Sequence, residues 1–523
     1  MRSPWLLIVL IIALILRVPF LNSIPVWYWD EGAMLSLASN LLEGRMQLFA
    51  LKYPFVPHPP LYILLASFFV SILGGGILSL RVLTILLGVC TTIILFISGR
   101  GAFDIKVGFL AALFYAIHPA AIFWNRTGIS NNLVVLFSVS SLYFMVKFIR
   151  EKEFFPLYWG SFLSGLALIS GVFGFASMVA VYLITFRFSK NKLPASIALS
   201  LIPLLVYAGF MLYLMPQAFV DDIHYHLNRT LVGDDSVGVK ITFLVIVASA
   251  ALIHSCRSIL KALRLFFPRV DLFVYIFSSL VLFHLFGLNQ DLVGTYGLDY
   301  FSIFSLIGLL YPTFFLIQED NTRFVFLAYL VSSILGLFIL KRLDHMTMIV
   351  YPYLALGMAN LAKKIYSGLN IEKIFTPLMI SVLIFHPLFL CTFQDIQFFS
   401  RFQKNCDELE SVNEVVDYLN ERTCETDLVF TYSWMTHLLV AESGIIIQGL
   451  AFDGVEVSYY PPDYSNDRWA YNASLSKAKY IVVSDESLIE VEAAWEGSSY
   501  LTGELALRTV DYVGGFGVYG LRR

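Results

Sequence analysis

Residues 5–31 read WLLIVLIIALILRVPFLNSIPVWYWDE, so a long apolar run is followed by aromatic residues and then by two adjacent carboxylates, Asp30 and Glu31. A run of this length and composition predicts a membrane helix. Ionisable groups at a membrane boundary are usually functional, because burying them in lipid is costly. The stretch therefore predicts a membrane-embedded fold with a functional site at the membrane surface.

The whole chain has the composition of a polytopic α-helical membrane protein. It has 523 residues, of which 58% are hydrophobic and 14% are charged, and its net charge is −3. This weakly charged composition gives no basis for nucleic acid as a partner. A helix needs about 20 apolar residues to cross a bilayer, and we identify about fourteen such windows. They lie near 5–20, 60–77, 80–98, 107–123, 132–149, 157–170, 172–186, 195–214, 241–256, 271–287, 298–317, 324–340, 345–361 and 376–392.

One of these windows, 60–77, is predicted not to cross. It begins with the sequence HPPLY and ends in consecutive glycines, which is a poor setting for a helix in lipid. About thirteen crossings then remain, and the loops that face inward are richer in lysine and arginine than those that face outward, as membrane insertion requires. The first helix is predicted to be retained, because no small-residue cleavage site precedes the WYWDEG run.

The composition changes after residue 391 and divides the chain into two domains. We predict a transmembrane catalytic domain at 1–395, with a first outer loop at 21–78, and a soluble α/β domain at 400–523. This tail combines an amphipathic helical run with short β-branched runs. With thirteen crossings the tail is extracytoplasmic, and its Cys406 and Cys424 are then either disulfide-bonded or two free thiols.

The acidic pair is the first candidate site. Apolar residues recur at helical spacing over 34–42, so Asp30 and Glu31 are expected to begin a helix that lies along the membrane surface with its apolar face in lipid. Plain capping is the alternative, since a helix N-terminus favours carboxylates. The prolines that follow hold the chain extended and carry His58 towards the acids.

Two later polar stretches are candidate anion sites. In HPAAIFWNRTGISNN, Arg126 either snorkels to the membrane surface or clamps a phosphate. The run KRLDH packs four ionisable groups between two apolar stretches, which is costly unless they bind something or one another. Its two cations suit an anionic lipid headgroup, and ordinary anchoring at the inner face is the alternative. The four groups are Lys341, Arg342, Asp344 and His345.

The order of these motifs resembles that of the GT-C membrane glycosyltransferases, especially the protein O-mannosyltransferase and aminoarabinose transferase branch. The pattern comprises a first helix, a DE pair, an HPPL turn, an N-R-x-G-x-x-N stretch and a basic cluster with a histidine before YPYLAL, and it covers about residues 1–390. The resemblance implies a polyprenyl-phosphate-linked sugar donor in the outer leaflet and transfer with inversion at the anomeric carbon.

Residue roles are carried over from this resemblance position by position. Asp30 and Glu31 match the family's acidic pair, and His58 matches the start of its HPP turn. The late basic cluster lies near the donor phosphate. We assign donor-phosphate binding to Arg342, Lys341, His345 and Arg126, and substrate positioning to His58, Asn131 and Asp344.

The same resemblance bears on metals. The oligosaccharyltransferase catalytic subunits of this superfamily carry acidic metal ligands where this chain has Asn131 and Asn132. Neutral amides are poorer ligands than carboxylates for a hard divalent cation. We therefore predict a metal-independent enzyme without a cofactor, with a divalent cation as the alternative.

These features predict an inverting glycosyltransferase. A phosphate ester leaves as a stable anion, so one base that deprotonates the acceptor hydroxyl is sufficient. We assign Asp30 as this base with Glu31 orienting the sugar or acceptor, and the reverse assignment is the alternative, because the sequence does not rank the two acids. The sugar is expected to be mannose or another hexose, and the acceptor a protein, lipid or glycan within a membrane of lipids. A polytopic transporter or a flippase-like protein is the alternative, although the sequence shows no internal repeat.

Overall fold

A computed structural model describes residues 4–21, 29–44, 47–48, 51–52, 60–74, 76–231, 321–340, 348–368, 414–419, 421–423, 429–431, 447–449, 479–483 and 507–521. Helices dominate the described residues before position 369, and strands are most of what is described after it.

Each predicted apolar window that falls within the described residues contains a helix, because a backbone surrounded by lipid must satisfy its own hydrogen bonds. The windows within 241–317 and at 376–392 lie outside the described residues. The helices are α1 (Pro4–Arg17), α2 (Trp29–Leu42), α3 (Pro60–Leu73), α4 (Ile77–Ala102), α5 (Ile105–Ile117), α6 (Pro119–Asn125), α7 (Asn131–Glu151), α8 (Phe154–Leu168), α9 (Phe175–Phe188), α10 (Leu193–Leu214), α11 (Pro216–Leu231), α12 (Asn321–Leu340) and α13 (Tyr351–Gly368).

Several shorter elements connect these helices. Single 3-10 turns precede α9 and α10, and a two-stranded antiparallel hairpin lies between α2 and α3. Within the described residues, three helical segments are long and apolar enough to cross a bilayer, namely Ile77–Ala102, Asn131–Glu151 and Lys190–Leu214. The hairpin strands are β1 (Gln47–Leu48) and β2 (Leu51–Lys52), and the 3-10 turns are Val172–Gly174 and Lys190–Lys192.

The apolar face of α2 is buried in protein, and this corrects the expectation that it lies in lipid. Leu35, Leu37 and Ala38 are fully buried in a cluster with residues of α3 and α4 such as Tyr62 and Leu80. Lipid and a protein interior are both apolar, so the spacing of apolar residues predicted a buried stripe without identifying what would cover it.

The end of α1 and the start of α4 lie at the same end of the helix bundle. The Arg81 guanidinium, near the start of α4, donates to the carbonyl oxygen of Leu21 just after α1 and to the Glu31 carboxylate near the start of α2. The end of α1 and the beginnings of α2 and α4 are therefore neighbours. Helices α2 and α3 therefore bring the chain back to the same end of the bundle, and the absence of a crossing by α3 stays a prediction.

Helices α5 and α13 run antiparallel, and contacts at both ends fix their register. Asp104 at the start of α5 forms an ion pair with Lys363 in the last turns of α13. At the opposite ends, the ring of His118 stacks on that of Tyr351 with centroids 4.4 Å apart. The predicted inner loops near 104 and 363 thus lie at one face of the bundle, and the predicted outer loops near 118 and 351 at the other.

The tail contains a five-stranded mixed sheet in the order β4-β3-β5-β7-β6. Strand β3 is parallel to β4 and β5, whereas β7 is antiparallel to β5 and β6. Residues 414–419 form a helix whose valines and leucine pack on the sheet. Cys406 and Cys424 lie outside the described residues. The strands are β3 (Val429–Thr431), β4 (Ile447–Gly449), β5 (Tyr480–Val483), β6 (Leu507–Val513) and β7 (Phe516–Leu521).

Candidate functional site

A buried ion pair lies at the predicted outer face of the bundle. The Arg81 guanidinium holds the Glu31 carboxylate through two parallel hydrogen bonds, Nε to Oε1 at 3.0 Å and Nη2 to Oε2 at 2.8 Å. The Glu31 side chain is 0% exposed and that of Arg81 is 1% exposed. The backbone N–H of Gly128 also donates to Oε1. Because both oxygens accept hydrogen bonds, the negative charge of Glu31 is fully compensated within the protein.

The loop at Gly128 approaches this ion pair so closely that only glycine fits. A Cβ atom at this position would lie 2.6 Å from Cβ of Leu80 and 3.2 Å from Oε1 of Glu31. The first of these distances is shorter than any tolerated carbon–carbon contact. The missing side chain therefore allows the backbone N–H to reach the carboxylate.

Asp30 differs from its neighbour in exposure. It lies in the first turn of α2 beside the ion pair, and it is half-buried where Glu31 is fully buried. Adjacent residues on a helix point about 100° apart, so the buried position of Glu31 leaves Asp30 directed to another side of α2. Of the two predicted catalytic acids, Asp30 is therefore the more exposed.

A second polar network lies beside the first and joins α1, α6 and α7. Arg17 at the end of α1 is fully buried and donates from Nε to the Asn125 side-chain oxygen at 3.0 Å and from Nη1 to the Ala116 carbonyl at 2.7 Å. Asn125 in turn donates to the Asn132 side-chain oxygen at 2.7 Å. The Asn132 amide also donates to three carbonyls, of which that of Trp124 is at 2.9 Å. These amides hold the turn between α6 and α7.

This network encloses Asn125, which is the first residue of an Asn-Arg-Thr triplet that fits the pattern for N-glycosylation. However, the Asn125 side chain is 1% exposed, and both ends of its amide are hydrogen-bonded. A glycan cannot be attached to this amide in the folded protein. Helix α4 passes so close to it that a Cβ at Gly88 would lie 2.4 Å from Oδ1 of Asn125.

Arg126, a predicted phosphate ligand, donates its hydrogen bonds to the end of α1. Its Nη2 donates to the carbonyl oxygens of Pro19 and Phe20, and its Nη1 approaches that of Leu16 at 3.4 Å. The residue is 8% exposed. The Leu16 carbonyl belongs to the last turn of α1, and those of Pro19 and Phe20 belong to the turn that follows, so the guanidinium satisfies carbonyls at the end of α1 and just beyond it. The geometry favours a structural role for Arg126.

The described residues also show which atoms are available to a cation. Within them, no three His, Cys, Asp or Glu side chains gather as a potential metal site. The Glu31 oxygens accept from Arg81 and Gly128, and the Asn132 amide is used within its own turn. Of the outer acidic pair, Glu31 is therefore already engaged within the protein, and Asp30 is the more exposed of the two.

One further predicted site residue, Asn131, lies within the described part of the chain. It begins α7, is 9% exposed, and lies close to Gly171. Residues missed by the sequence analysis are Arg17 and Arg81, although each is a charged residue within or at the end of an apolar stretch, which was a usable signal. Five predicted residues lie outside the described part of the chain, namely His58, Lys341, Arg342, Asp344 and His345.

The sequence and the fold both resemble known membrane proteins. Residues 57–216 match the family described as dolichyl-phosphate-mannose-protein mannosyltransferase. No curated protein matches the full sequence at a significant level.

Solved structures match over nearly the whole chain. ArnT from Cupriavidus metallidurans in the apo state is 10% identical with a TM-score of 0.62, and the match covers 99% of this chain and 97% of that chain. The same protein bound to undecaprenyl phosphate is 12% identical with a TM-score of 0.60, over 99% and 98% of the two chains. The archaeal oligosaccharyltransferase AglB from Archaeoglobus fulgidus, in complex with an inhibitory peptide and a dolichol-phosphate, is 14% identical with a TM-score of 0.55, over 95% and 71%.

The fold is therefore that of a helical integral membrane protein. The sequence-based resemblance to the GT-C superfamily of membrane glycosyltransferases is confirmed by the family match and by these shared folds.

Proposed function

We propose that this protein is an inverting glycosyltransferase that moves a sugar from a polyprenyl-phosphate donor to an acceptor hydroxyl at the outer face of the membrane. The observation that carries the proposal is the half-buried Asp30 beside the buried Glu31–Arg81 ion pair, within a fold shared with AglB and ArnT. Solved structures of both of those proteins contain a polyprenyl phosphate. The matched mannosyltransferase family supports mannose as the sugar and a protein hydroxyl as the acceptor, and another hexose and a lipid or glycan hydroxyl are the further possibilities that the proposal includes.

Asp30 acts as the general base in this mechanism. The departing phosphate needs no proton, so the chemistry requires one carboxylate that removes the proton of the acceptor hydroxyl. Glu31 is poorly suited to this task, because Arg81 and Gly128 already donate to both of its oxygens. Glu31 and Arg81 instead position Asp30, since they fix the start of α2 against α4.

The donor phosphate is bound by the predicted basic cluster before α13, in which Arg342, Lys341 and His345 neutralise the charge that grows on the leaving group. These residues lie outside the described part of the chain. Tyr351, which follows them in the sequence, stacks on His118 at the predicted outer face, and this supports the proposal.

Metal-independent transfer is part of the same proposal. Asn131 and Asn132 stand where the oligosaccharyltransferase subunits carry acidic metal ligands. Asp30, the more exposed acid of the outer pair, is assigned to proton transfer.

The α/β tail is extracytoplasmic in this proposal, which follows from the predicted thirteen crossings and the positive inner loops.

The direct test uses the purified protein in lipid nanodiscs with defined polyprenyl-phosphate sugars and a panel of protein, lipid and glycan acceptors, followed by mass analysis of the products. Wild-type protein should add one sugar to at least one acceptor class, and Asp30→Asn should abolish transfer without changing the folded fraction. Asp221→Asn is a matched control, since this acid lies on the exposed side of α11, where Gln217 donates to it. Near-normal transfer by Asp30→Asn would remove Asp30 from the mechanism.

A further inference from the structure

Four hydroxyl groups lie close together inside the helix bundle. Ser138 of α7 and Ser177 of α9 are hydrogen-bonded to each other, with their oxygens 2.6 Å apart. The hydroxyl of Tyr353, in the first turn of α13, lies near both serines and near Ser333 of α12. Each of the four residues is at most 2% exposed. Four separate helices therefore contribute one polar atom each to the same buried place.

Two of these hydroxyls have no hydrogen-bond partner within the described residues. They are Oη of Tyr353 and Oγ of Ser333. The serines lie near the tyrosine hydroxyl, yet none forms a hydrogen bond of normal geometry with it. Buried polar atoms in native proteins are almost always hydrogen-bonded, to protein or to ordered water.

A neighbouring tyrosine, Tyr329, has a direct hydrogen-bond partner within the bundle. The hydroxyl of Tyr329 on α12 lies 2.6 Å from that of Ser141 on α7, and Ser141 also contacts the carbonyl of Gly160 at 2.6 Å. The rings of Tyr329 and Tyr353 are 5.7 Å apart, so the two tyrosines belong to one packed region. Tyr329, whose hydroxyl has a protein partner, can therefore be compared with Tyr353, whose hydroxyl has none within the described residues.

We propose that Tyr353, Ser138, Ser177 and Ser333 form an internal hydration site that holds ordered water. The four members are neutral and can both donate and accept, which suits water and gives no preference for a charged ligand. A buried water typically makes two to four hydrogen bonds to polar groups that are otherwise unsatisfied, and four hydroxyls on converging helices offer that number.

The site has a structural consequence for the outer face. Tyr353 and Tyr351 share the first turn of α13, and Tyr351 stacks on His118. Ser138 lies about 10 Å along α7 from its first residue, at 1.5 Å per residue. Water bound here would therefore tie the beginning of α13 to α7, α9 and α12 just below the outer surface.

The first test is a cryo-electron microscopy map of the wild-type protein in nanodiscs, at a resolution that shows ordered water, together with the map of Tyr353→Phe. We expect a solvent peak within hydrogen-bond distance of the Tyr353 hydroxyl in the wild type, and its loss or displacement in the variant. A wild-type map with well-resolved side chains and no such peak would overturn the proposal.

Thermal unfolding provides the second test. If water satisfies the hydroxyl, Tyr353→Phe should lower the unfolding midpoint by a few degrees, and the combined Tyr353→Phe and Ser333→Ala variant should lose less than the sum of the two single changes. Tyr329→Phe is the matched control, because it removes a hydroxyl with a direct partner and should also lower the midpoint. A rise in the midpoint for Tyr353→Phe would mean that the hydroxyl is simply unsatisfied, which contradicts the hydration site.

Discussion

Replacement of Arg81 by glutamine tests the buried ion pair most directly. The substitution removes the positive charge and leaves the Glu31 carboxylate, 0% exposed, without its cationic partner, while the Gly128 N–H still donates to it. Loss of one partner from a buried pair typically costs about 3–5 kcal/mol, because an uncompensated charge stays buried. The lower limit corresponds to a change of more than about 100-fold in the unfolding equilibrium constant.

The assay is the free energy of unfolding in mild detergent, followed by helical circular dichroism during denaturant titration. Arg81→Gln and Glu31→Gln should each destabilise the protein strongly. The double variant should recover most of the loss, because two neutral amides can hydrogen-bond across the same gap. Transfer activity separates positioning from chemistry, since the double variant should retain measurable transfer whereas Asp30→Asn should not.

Two results would refute this reasoning. A loss below about 1 kcal/mol for Arg81→Gln would place the pair in the range of exposed salt bridges and contradict its burial. A double variant that loses the full sum of the single changes would show that the two side chains do not interact with each other.

Three further predictions concern the surrounding structure. Gly88→Ala should destabilise the protein by about 1–3 kcal/mol, because its Cβ would overlap the Asn125 amide. Gly101→Ala on the same helix is the control: its Cβ would have no atom within 4 Å, so it should be neutral or slightly stabilising in the same unfolding assay. Arg126→Lys should lower stability while the KM for the donor stays near the wild-type value, and a selective rise in that KM would restore Arg126 to phosphate binding. Burial raises the pKa of Asp104, but hydrogen bonds from its lysine partner and from backbone amides outweigh this effect and lower the pKa below 3.8. The stabilising contribution of Asp104 is therefore present above about pH 4 and is lost as the pH falls further. The Asp104→Asn variant keeps the helix cap, and the difference in its unfolding midpoint from that of the wild type should shrink below about pH 4. A difference that stays constant with pH would contradict the ion pair.

Much of the fold could be predicted because it depends on local chemistry. A window of apolar residues becomes a helix wherever lipid or an apolar interior surrounds it, so every predicted window within the described residues contains a helix. The same holds for the acidic pair at the start of α2, since a helix N-terminus favours carboxylates. The sequence also indicated the superfamily, through the order of short motifs along the chain.

The tertiary structure decided which charges meet. Arg81 lies 50 residues from Glu31, and Arg17 lies 108 residues from Asn125, so spacing along the chain gave no reason to pair them. The structure also buries the apolar face of α2 in protein and encloses Asn125. Hydropathy measures how strongly a side chain avoids water, and it does not distinguish whether lipid or another helix replaces that water. Only the packing shows which partner each residue has, and with it the different exposure of Asp30 and Glu31.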